Sequence, residues 1–310
     1  MPELKQRSWE NMEVGEEFGP MEVVVDDHKL KSFCFALDDF DPKYMGGNPR
    51  CERVGMPGVL CNDLLRVPQT RYDFRTGAGT GLHAKQEWEV FRPIKLGEKA
   101  TITGRYVDKY IKRDKQYVVL EAEAKDEKGK LILRGKATQM RSLKPGVVKE
   151  GPAAPAAEQP TPPTPTIISG VILEKADRNT PVGAQVKPIV KEVTQNRMSA
   201  FTGADRLDSI HTNAELARSR GLANTVAQGL MSANYVAEVM TNFFGDGFRK
   251  GGKVAVAFIS PVYPGDTITA SAVVKEKKAE GKATRLEMDV WCENQAGKRV
   301  TVGTASGLVR

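Results

Sequence analysis

The chain repeats part of its own sequence after an interval of 168 residues, and this repeat restricts its possible folds more than any other feature. The matching segments are Val14-Gly15 with Val182-Gly183, Phe33 with Phe201, and residues 91–98 with residues 259–266. A repeat at so long an interval predicts two copies of one domain and argues against a solenoid of short units. A length of 310 residues also suits two domains of ordinary size.

A proline-rich segment lies between the two copies. Residues 144–166 contain seven of the 18 prolines of the chain. Proline donates no backbone hydrogen bond, and the segment has few apolar side chains to bury, so we expect an extended linker. The sequence therefore predicts an N-terminal domain over residues 1–143, a linker over residues 144–166 and a C-terminal domain over residues 167–310.

Each copy ends with three segments that have the composition and alternation of β-strands. They are residues 100–108, 116–125 and 131–140 in the first copy, and residues 267–275, 284–293 and 299–309 in the second. The polar loops at residues 126–129 and 294–297 are typical of hairpins between antiparallel strands. We therefore expect each copy to be an α+β domain in which an antiparallel sheet wraps around one central helix.

The central helix of the second copy is predicted to begin at Gly229 and to be buried. Its apolar residues recur at three- and four-residue steps, and they include Leu230, Ala233, Val236, Ala237, Met240 and Phe244. Further apolar side chains cover most of the remaining surface, which is typical of a helix inside a domain. The N–H groups of its first turn have no intrahelical acceptors, so this end of the helix favours an anion.

A polar turn precedes this helix and holds the candidate acid and base groups. It contains Asp205, Asp208 and His211, and a short helix-forming segment follows over residues 213–220. Histidine is the side chain best suited to carry a proton near neutral pH. The pattern therefore predicts an acid/base pair beside an anion-binding helix N-terminus.

Residues 210–232, which read IHTNAELARSRGLANTVAQGLMS, resemble the hydratase motif of MaoC-like, (R)-specific enoyl-CoA hydratases. Members of that family have the hotdog fold, so the resemblance implies two hotdog domains in this chain, a double hotdog. In the family an aspartate and a histidine activate water, and a glycine N–H at the start of the central helix holds the thioester oxygen. His211 and Gly229 match those positions directly. The implied reaction is the reversible hydration of a trans-2-enoyl-CoA to a 3-hydroxyacyl-CoA.

The aspartate of the motif is less clearly placed. The family usually reads S/T-G-D-x-N-P-I-H, with the aspartate five residues before the histidine, where this chain has Arg206. Asp205 is the preferred partner of His211, Asp208 is second, and Asp39 of the first copy is a distant third. Gln228 stands where many relatives have histidine, and it would either orient the loop or cap the helix.

The first copy has a turn of the same kind in which Tyr44 replaces the histidine, with Asp39 five residues before it. A tyrosine with an ordinary pKa near 10 is a poor general base at neutral pH, so we expect this copy to lack the chemistry. Its helix is predicted to be short and to end near Val67-Pro68. The room left by a shortened helix would accommodate the acyl chain.

The remaining histidines and the basic loop have simpler interpretations. We expect His28 to be exposed and His83 to be a structural residue on a strand. The basic segment at residues 249–253 is interpreted as a solvated loop more readily than as a site for the phosphates of coenzyme A.

Composition restricts the class and the compartment. The chain is 40% hydrophobic and 27% charged, which is ordinary for a globular protein. No apolar run is long enough to span a bilayer, and residues 1–10 are too polar for a signal peptide. The four cysteines show no CxxC spacing, so we expect reduced thiols and a cytoplasmic location.

Charge and motifs restrict the partners. The net charge of +7 is interpreted as scattered solvated side chains, although it would also help to attract a polyanion such as coenzyme A. We find no basic stripe with interleaved aromatics, phosphate-binding loop, dinucleotide fingerprint or metal-ligand spacing. The expected partner is an acyl-CoA substrate without cofactor, metal, nucleic acid or membrane, and a homodimer of such chains is one possible assembly.

Two other functions remain open at this point. An acyl-CoA thioesterase would need a carboxylate on the central helix, where Glu238 is the only acidic residue. A non-catalytic protein that binds CoA esters would keep the fold while its aspartate drifted, and the irregular turn at residues 205–211 favours this alternative.

Overall fold

The computed structural model describes residues 4–46, 52–74, 81–141, 167, 170–203 and 208–310. The predicted linker at residues 144–166 lies outside the described residues. Within them the chain forms an α+β structure dominated by one antiparallel sheet, as the sequence predicted.

Thirteen strands are present in the described part of the chain. In the first half they are β1 (Lys5–Gln6), β2 (Glu17–Val24), β3 (Tyr72–Asp73), β4 (Leu82–Val90), β5 (Lys99–Lys112), β6 (Lys115–Lys125) and β7 (Leu131–Met140). In the second half they are β8 (Ile172–Leu173), β9 (Gln185–Glu192), β10 (Lys253–Phe258), β11 (Thr267–Glu280), β12 (Ala283–Asn294) and β13 (Arg299–Val309).

Eleven of these strands form one continuous sheet in the order β2-β5-β6-β7-β4-β10-β13-β12-β11-β9-β8. The two halves meet where β4 pairs antiparallel with β10, and Trp88 lies opposite Val254 there. Two short strands, β1 and β3, pair with each other outside the large sheet. The halves therefore share a sheet instead of forming two separate sheets.

Seven α-helices lie in the described residues. They are α1 (Asp27–Leu37), α2 (Pro42–Met45), α3 (Cys61–Arg66), α4 (Gln195–Thr202), α5 (Ala214–Ser219), α6 (Gly229–Phe244) and α7 (Asp246–Arg249). A 3-10 helix, Val67–Thr70, continues α3.

The structural elements repeat at the interval found in the sequence. The strands β2, β5 and β6 begin 168 residues before β9, β11 and β12, and β7 begins 168 residues before β13. The same interval relates the first residues of α1 and α4. It also makes Cys61, the first residue of α3, the counterpart of Gly229, the first residue of α6. The two halves are therefore copies of one helix-and-sheet unit.

The two central helices differ in length, as the sequence predicted. In α6, 16 residues long, nearly every side chain is buried, because the sheet and the neighbouring helices surround it. By contrast α3 has six residues and gives way to a 3-10 turn at Val67-Pro68, since proline lacks the N–H that a longer α-helix would require. The short α3 leaves space inside the first half.

Within the described residues no helix is both long enough and apolar enough to cross a membrane.

Candidate functional site

The first turn of α6 is built around a glycine that cannot carry a side chain. A Cβ atom at position 229 would lie 2.7 Å from the ring of Phe258, which is closer than real side chains approach. The residue before it, Gln228, makes no side-chain cap with the helix. The described residues provide no hydrogen-bond acceptor for the Gly229 N–H, so this donor is available to a ligand.

His211 is held in one orientation beside this helix. Its Nδ1 lies 2.7 Å from the carbonyl oxygen of Val226. Because a carbonyl oxygen only accepts hydrogen bonds, Nδ1 carries the proton and Nε2 is the acceptor nitrogen of the neutral ring. The backbone is fixed as well, since the Gln195 side-chain amide donates to the His211 carbonyl oxygen at 2.9 Å and the His211 N–H donates to Ser209 Oγ at 3.2 Å.

His211 and Gly229 line the same cavity, which has a volume of about 950 Å³. The lining of this cavity includes apolar residues of the second half, namely Ile210, Leu216, Leu222, Val226, Phe258 and Val262. Strands and α3 of the first half form the other side of the cavity. The candidate base and the candidate hydrogen-bond donor therefore line one cavity.

Only one of the two candidate aspartates lies within the described residues. Asp208 lines the cavity as an exposed residue, and its carboxylate accepts a hydrogen bond of 2.8 Å from Asn213, the N-cap of α5. Asp205 lies outside the described residues. Asp205 as the partner of His211 stays a prediction.

Gln228 lines the cavity, but it does not have the helix-capping role that was one of the two expected. Its side-chain amide donates to Thr202 Oγ1 at 3.1 Å and makes no cap on α6. The capping alternative is therefore wrong. The contact instead joins the start of α6 to the end of α4, because Thr202 is the last residue of α4.

The first half contributes polar residues to the cavity that the sequence did not single out. Asn62 donates to the Phe201 carbonyl oxygen at 2.9 Å, and Arg66 donates to the Thr202 carbonyl oxygen. Both residues also line the cavity. Asn62 and Arg66 are four residues apart on α3, so their side chains lie on one face of the helix. Two polar residues at this spacing in a short buried helix could have identified them from the sequence.

Comparison with known proteins identifies the second half. Residues 177–296 match the family model described as MaoC like domain. The second half of the chain is a MaoC-like domain. No curated protein matches the chain by sequence.

Solved structures extend the likeness to the whole fold. A MaoC-like dehydratase has 17% identity and a TM-score of 0.71, with 98% of this chain and 99% of that chain covered. The peroxisomal multifunctional enzyme type 2 of Drosophila melanogaster has 17% identity and a TM-score of 0.62, with 94% and 48% covered. A Mycobacterium tuberculosis protein with a double hotdog fold has 13% identity and a TM-score of 0.59, with 98% of both chains covered. The chain is therefore a double hotdog.

In the first half, the position that corresponds to the MaoC-like histidine is closed. Tyr44 is 1% exposed, and burial raises the pKa of its hydroxyl well above the ordinary value. Burial also raises the pKa of Asp39, the carboxyl that precedes Tyr44 in the motif. Neither residue lines the cavity of the MaoC-like domain, so Asp39 as a partner of His211 is wrong.

Charged groups of the second half pack against this closed position. Lys191 donates to Glu238 and to the Asp38 carbonyl oxygen, each at 2.7 Å. Arg249 is buried and lies 3.4 Å from an Asp41 carboxylate oxygen. The interpretation of residues 249–253 as a solvated loop is therefore wrong for Arg249, because its guanidinium packs between the two halves.

The other two histidines lie where they were expected. His28 is exposed near the start of α1, and His83 is on β4. The ring of His83 packs edge-on against Phe258, with 5.1 Å between the ring centroids. Burial lowers the pKa of His83 to about 4, so this ring is neutral at neutral pH and forms part of the cavity wall.

A metal site is not formed by the part of the chain that the structure describes, where no three His, Cys, Asp or Glu residues lie close enough to hold an ion.

Proposed function

We propose that this protein hydrates the double bond of a trans-2-enoyl-CoA to give a 3-hydroxyacyl-CoA, or catalyses the reverse dehydration. One observation carries the proposal: His211 and Gly229 line the same cavity, where a buried helix starts. The family model matches this half of the chain, and similar folds include a MaoC-like dehydratase.

His211 would act on the water. The hydrogen bond from Nδ1 to Val226 leaves Nε2 as the basic nitrogen, which takes a proton from the water as its oxygen bonds to C3 of the acyl chain. A proton is delivered to C2, so one water adds across the double bond and nothing is oxidised or reduced. Asp205 is the proposed second group for this transfer, and Asp208 is the alternative.

The Gly229 amide would stabilise the charge that develops on the thioester oxygen. The electron pair of the double bond moves towards C2 and is shared with that oxygen, which becomes enolate-like. A preorganised N–H at the end of a buried helix stabilises such a charge without reorganisation. The ring of Phe258 excludes any side chain from position 229, so an oxygen can approach the amide closely.

Cations at the edge of the cavity would bind the phosphates of coenzyme A. Lys85, Lys112, Arg113 and Lys115 are exposed residues that line the cavity. A group of like charges at a cleft attracts a polyanion over a distance set by ionic strength. These cations come from the first half, which would therefore bind substrate while the MaoC-like domain performs the chemistry.

The thioesterase alternative is less well supported, because its carboxylate is occupied. Glu238 is paired with Lys191 at 2.7 Å, and it is not among the residues that line the cavity. A non-catalytic protein would keep the cavity without needing the ordered ring of His211. The hydrogen bond to Val226 favours the enzyme.

One assay separates the three functions. Purified protein is incubated with crotonyl-CoA while the absorbance of the enoyl thioester and the release of free thiol are followed together. Loss of the enoyl signal without thiol is the expected result, and thiol release would indicate a thioesterase. Binding without either change, across short, long, branched and dicarboxylic enoyl-CoAs, would contradict the proposal and indicate a binding protein.

A further inference from the structure

A buried arginine lies in the first-half wall of the cavity. Arg141 follows β7, lines the cavity and is only 7% exposed. Its Nη2 donates to the Arg7 carbonyl oxygen at 3.2 Å, and its buried Nε has no hydrogen-bond partner among the described residues. Neither the proposed reaction nor the motif of the MaoC-like domain uses this residue.

Arg141 differs from every other buried charged residue in the described chain. Each of the others has an oppositely charged partner: Asp63 with Lys29, Lys191 with Glu238, Arg249 with Asp41, and Arg285 with Glu280. Among the described residues no carboxylate forms an ion pair with Arg141. Burying a charge without a partner costs stability, so the arrangement is expected where an external anion supplies the partner.

The surroundings of Arg141 leave space for its guanidinium and hold it in place. A Cβ atom at position 81 would lie 2.7 Å from Arg141 Nη1, so the glycine at this position leaves room for the guanidinium where it lies. Arg7 lies beside it and donates to Gln139 at 3.2 Å, while the Arg7 guanidinium stacks 3.7 Å above the ring of Phe74. A planar cation fixed in this way suits the two oxygens of a carboxylate.

Strand β4 joins this position to the reaction centre. Gly81, next to Arg141, immediately precedes β4, and His83 on β4 packs on Phe258, the ring that contacts Gly229. Because both residues line the same cavity, an acyl chain that starts at the Gly229 amide and extends along this wall would approach the guanidinium of Arg141. The cations proposed to bind the phosphates of coenzyme A are exposed, whereas Arg141 is buried. Hydrated phosphates therefore suit the exposed cations better than they suit Arg141.

From this arrangement we propose that Arg141 binds a carboxylate at the far end of the acyl chain, so that the substrates are CoA thioesters of unsaturated dicarboxylic acids. The inference rests on the proposed function for the position of the thioester, and it adds the chemical class of the acyl group. Burial lowers the pKa of Arg141, but arginine stays charged at neutral pH and therefore keeps its preference for an anion.

The test measures binding by calorimetry and needs no turnover. Glutaryl-, adipyl- and suberyl-CoA are compared with valeryl-, hexanoyl- and octanoyl-CoA, which have the same carbon numbers and no terminal charge. The expected result is that at least one dicarboxylic thioester binds about ten- to a hundredfold more tightly than its uncharged match, as a charged hydrogen-bonded pair provides. Equal affinities within every pair would overturn the inference.

Two variants locate the selectivity. Arg141→Gln is expected to remove the preference and to leave the affinity for the uncharged thioesters unchanged, while Arg141→Lys restores part of the preference. Thermal melts show whether each variant is folded. If Arg141→Gln weakened charged and uncharged thioesters equally, Arg141 would bind coenzyme A itself, and the inference would be wrong.

The two proposals fail in different ways. Selective binding of dicarboxylic thioesters without any hydration would remove the proposed function and leave the carboxylate site in place. Hydration of crotonyl-CoA without a preference for any dicarboxylic thioester would support the proposed function and overturn the carboxylate site.

Discussion

The two halves share their strands and their repeat interval, but they differ at the two positions to which we assign the proposed chemistry. His211 of the second half has Tyr44 as its counterpart in the motif, and Gly229 at the start of α6 has Cys61 at the start of α3. The Cys61 side chain is 2% exposed, and burial raises the pKa of its thiol to about 12. The first half therefore lacks the histidine, and the Cys61 N–H at the start of its helix already donates to the Gly58 carbonyl oxygen at 2.9 Å.

The surroundings of the two positions differ in the same direction. His211 and Gly229 face a cavity, whereas Tyr44 is buried next to Asp39, Asp41 and Arg249. Where one half keeps space for a ligand, the other half fills the equivalent region with charged groups that join the halves. Duplication thus allows one copy to retain a site while the other contributes a cavity wall and an interface.

The largest expected effect is on turnover and comes from the histidine. His211→Gln removes the proposed base, so we expect kcat to fall by about 10³-fold, within the range that general base catalysis contributes. The matched change in the other half, Tyr44→Phe, is expected to keep kcat within about twofold. Steady-state assays of the enoyl absorbance measure both. Equal losses in the two variants would show that the halves share the chemistry.

The next effect concerns stability at the closed position. Lys191→Met leaves Glu238 buried without its partner, and we expect the free energy of unfolding at about pH 8 to fall by about 3 kcal/mol. The double variant Lys191→Met/Glu238→Leu is expected to recover most of this loss, because it removes both charges. Urea unfolding measures the difference. A loss below about 0.5 kcal/mol would mean that the pair contributes no more than an exposed ion pair does.

The third effect tests the amide at the start of α6. Gly229→Ala places a Cβ against the Phe258 ring, so the helix start must shift, and we expect kcat to fall by about 100-fold through lost stabilisation of the thioester oxygen. Combining it with Phe258→Ala removes the clash and is expected to recover activity relative to Gly229→Ala alone. If Gly229→Ala kept full activity in a folded protein, the amide would have no role in the reaction.

The smallest effect is a pH dependence of stability. Burial raises the pKa of Glu238 from its ordinary value of 4.5 to about 7, so the folded protein binds this proton more tightly than the unfolded chain does. The stability that this raised pKa provides is therefore fully present below about pH 4.5 and is lost as the pH rises through about 7.

The Glu238→Gln variant isolates that contribution. Urea unfolding of the wild type and of this variant at about pH 5 and about pH 8 provides the comparison. The wild type is expected to lose more stability than Glu238→Gln between the two pH values. The same pH dependence in both proteins would assign the effect to other groups.

Much of the fold could be predicted from local patterns. Alternation in the strands, the proline after α3 and the apolar positions of α6 act over short distances, and each was visible in the sequence. The halves also kept their matching segments at one interval, so the repeat indicated the double arrangement. The comparisons confirm the double hotdog.

The site was only partly predictable, because its other components come from distant residues. His211 and Gly229 belong to one continuous motif, whereas Asn62, Arg66 and Arg141 reach the cavity only because the first half folds against the second. The burial of Arg249 depends in the same way on Asp41, which lies in the other half. A sequence pattern shows local spacing and does not show which distant charges meet.

The central claim is that the second half adds water and that the first half does not. Its most direct test is a single turnover of an accepted enoyl-CoA in water labelled with heavy oxygen, followed by mass spectrometry of the product. We expect one labelled oxygen on the acyl chain for the wild type and for Tyr44→Phe, and none for His211→Gln on the same timescale. Labelled product from His211→Gln at the wild-type rate, or loss of labelling in folded Tyr44→Phe, would contradict the central claim.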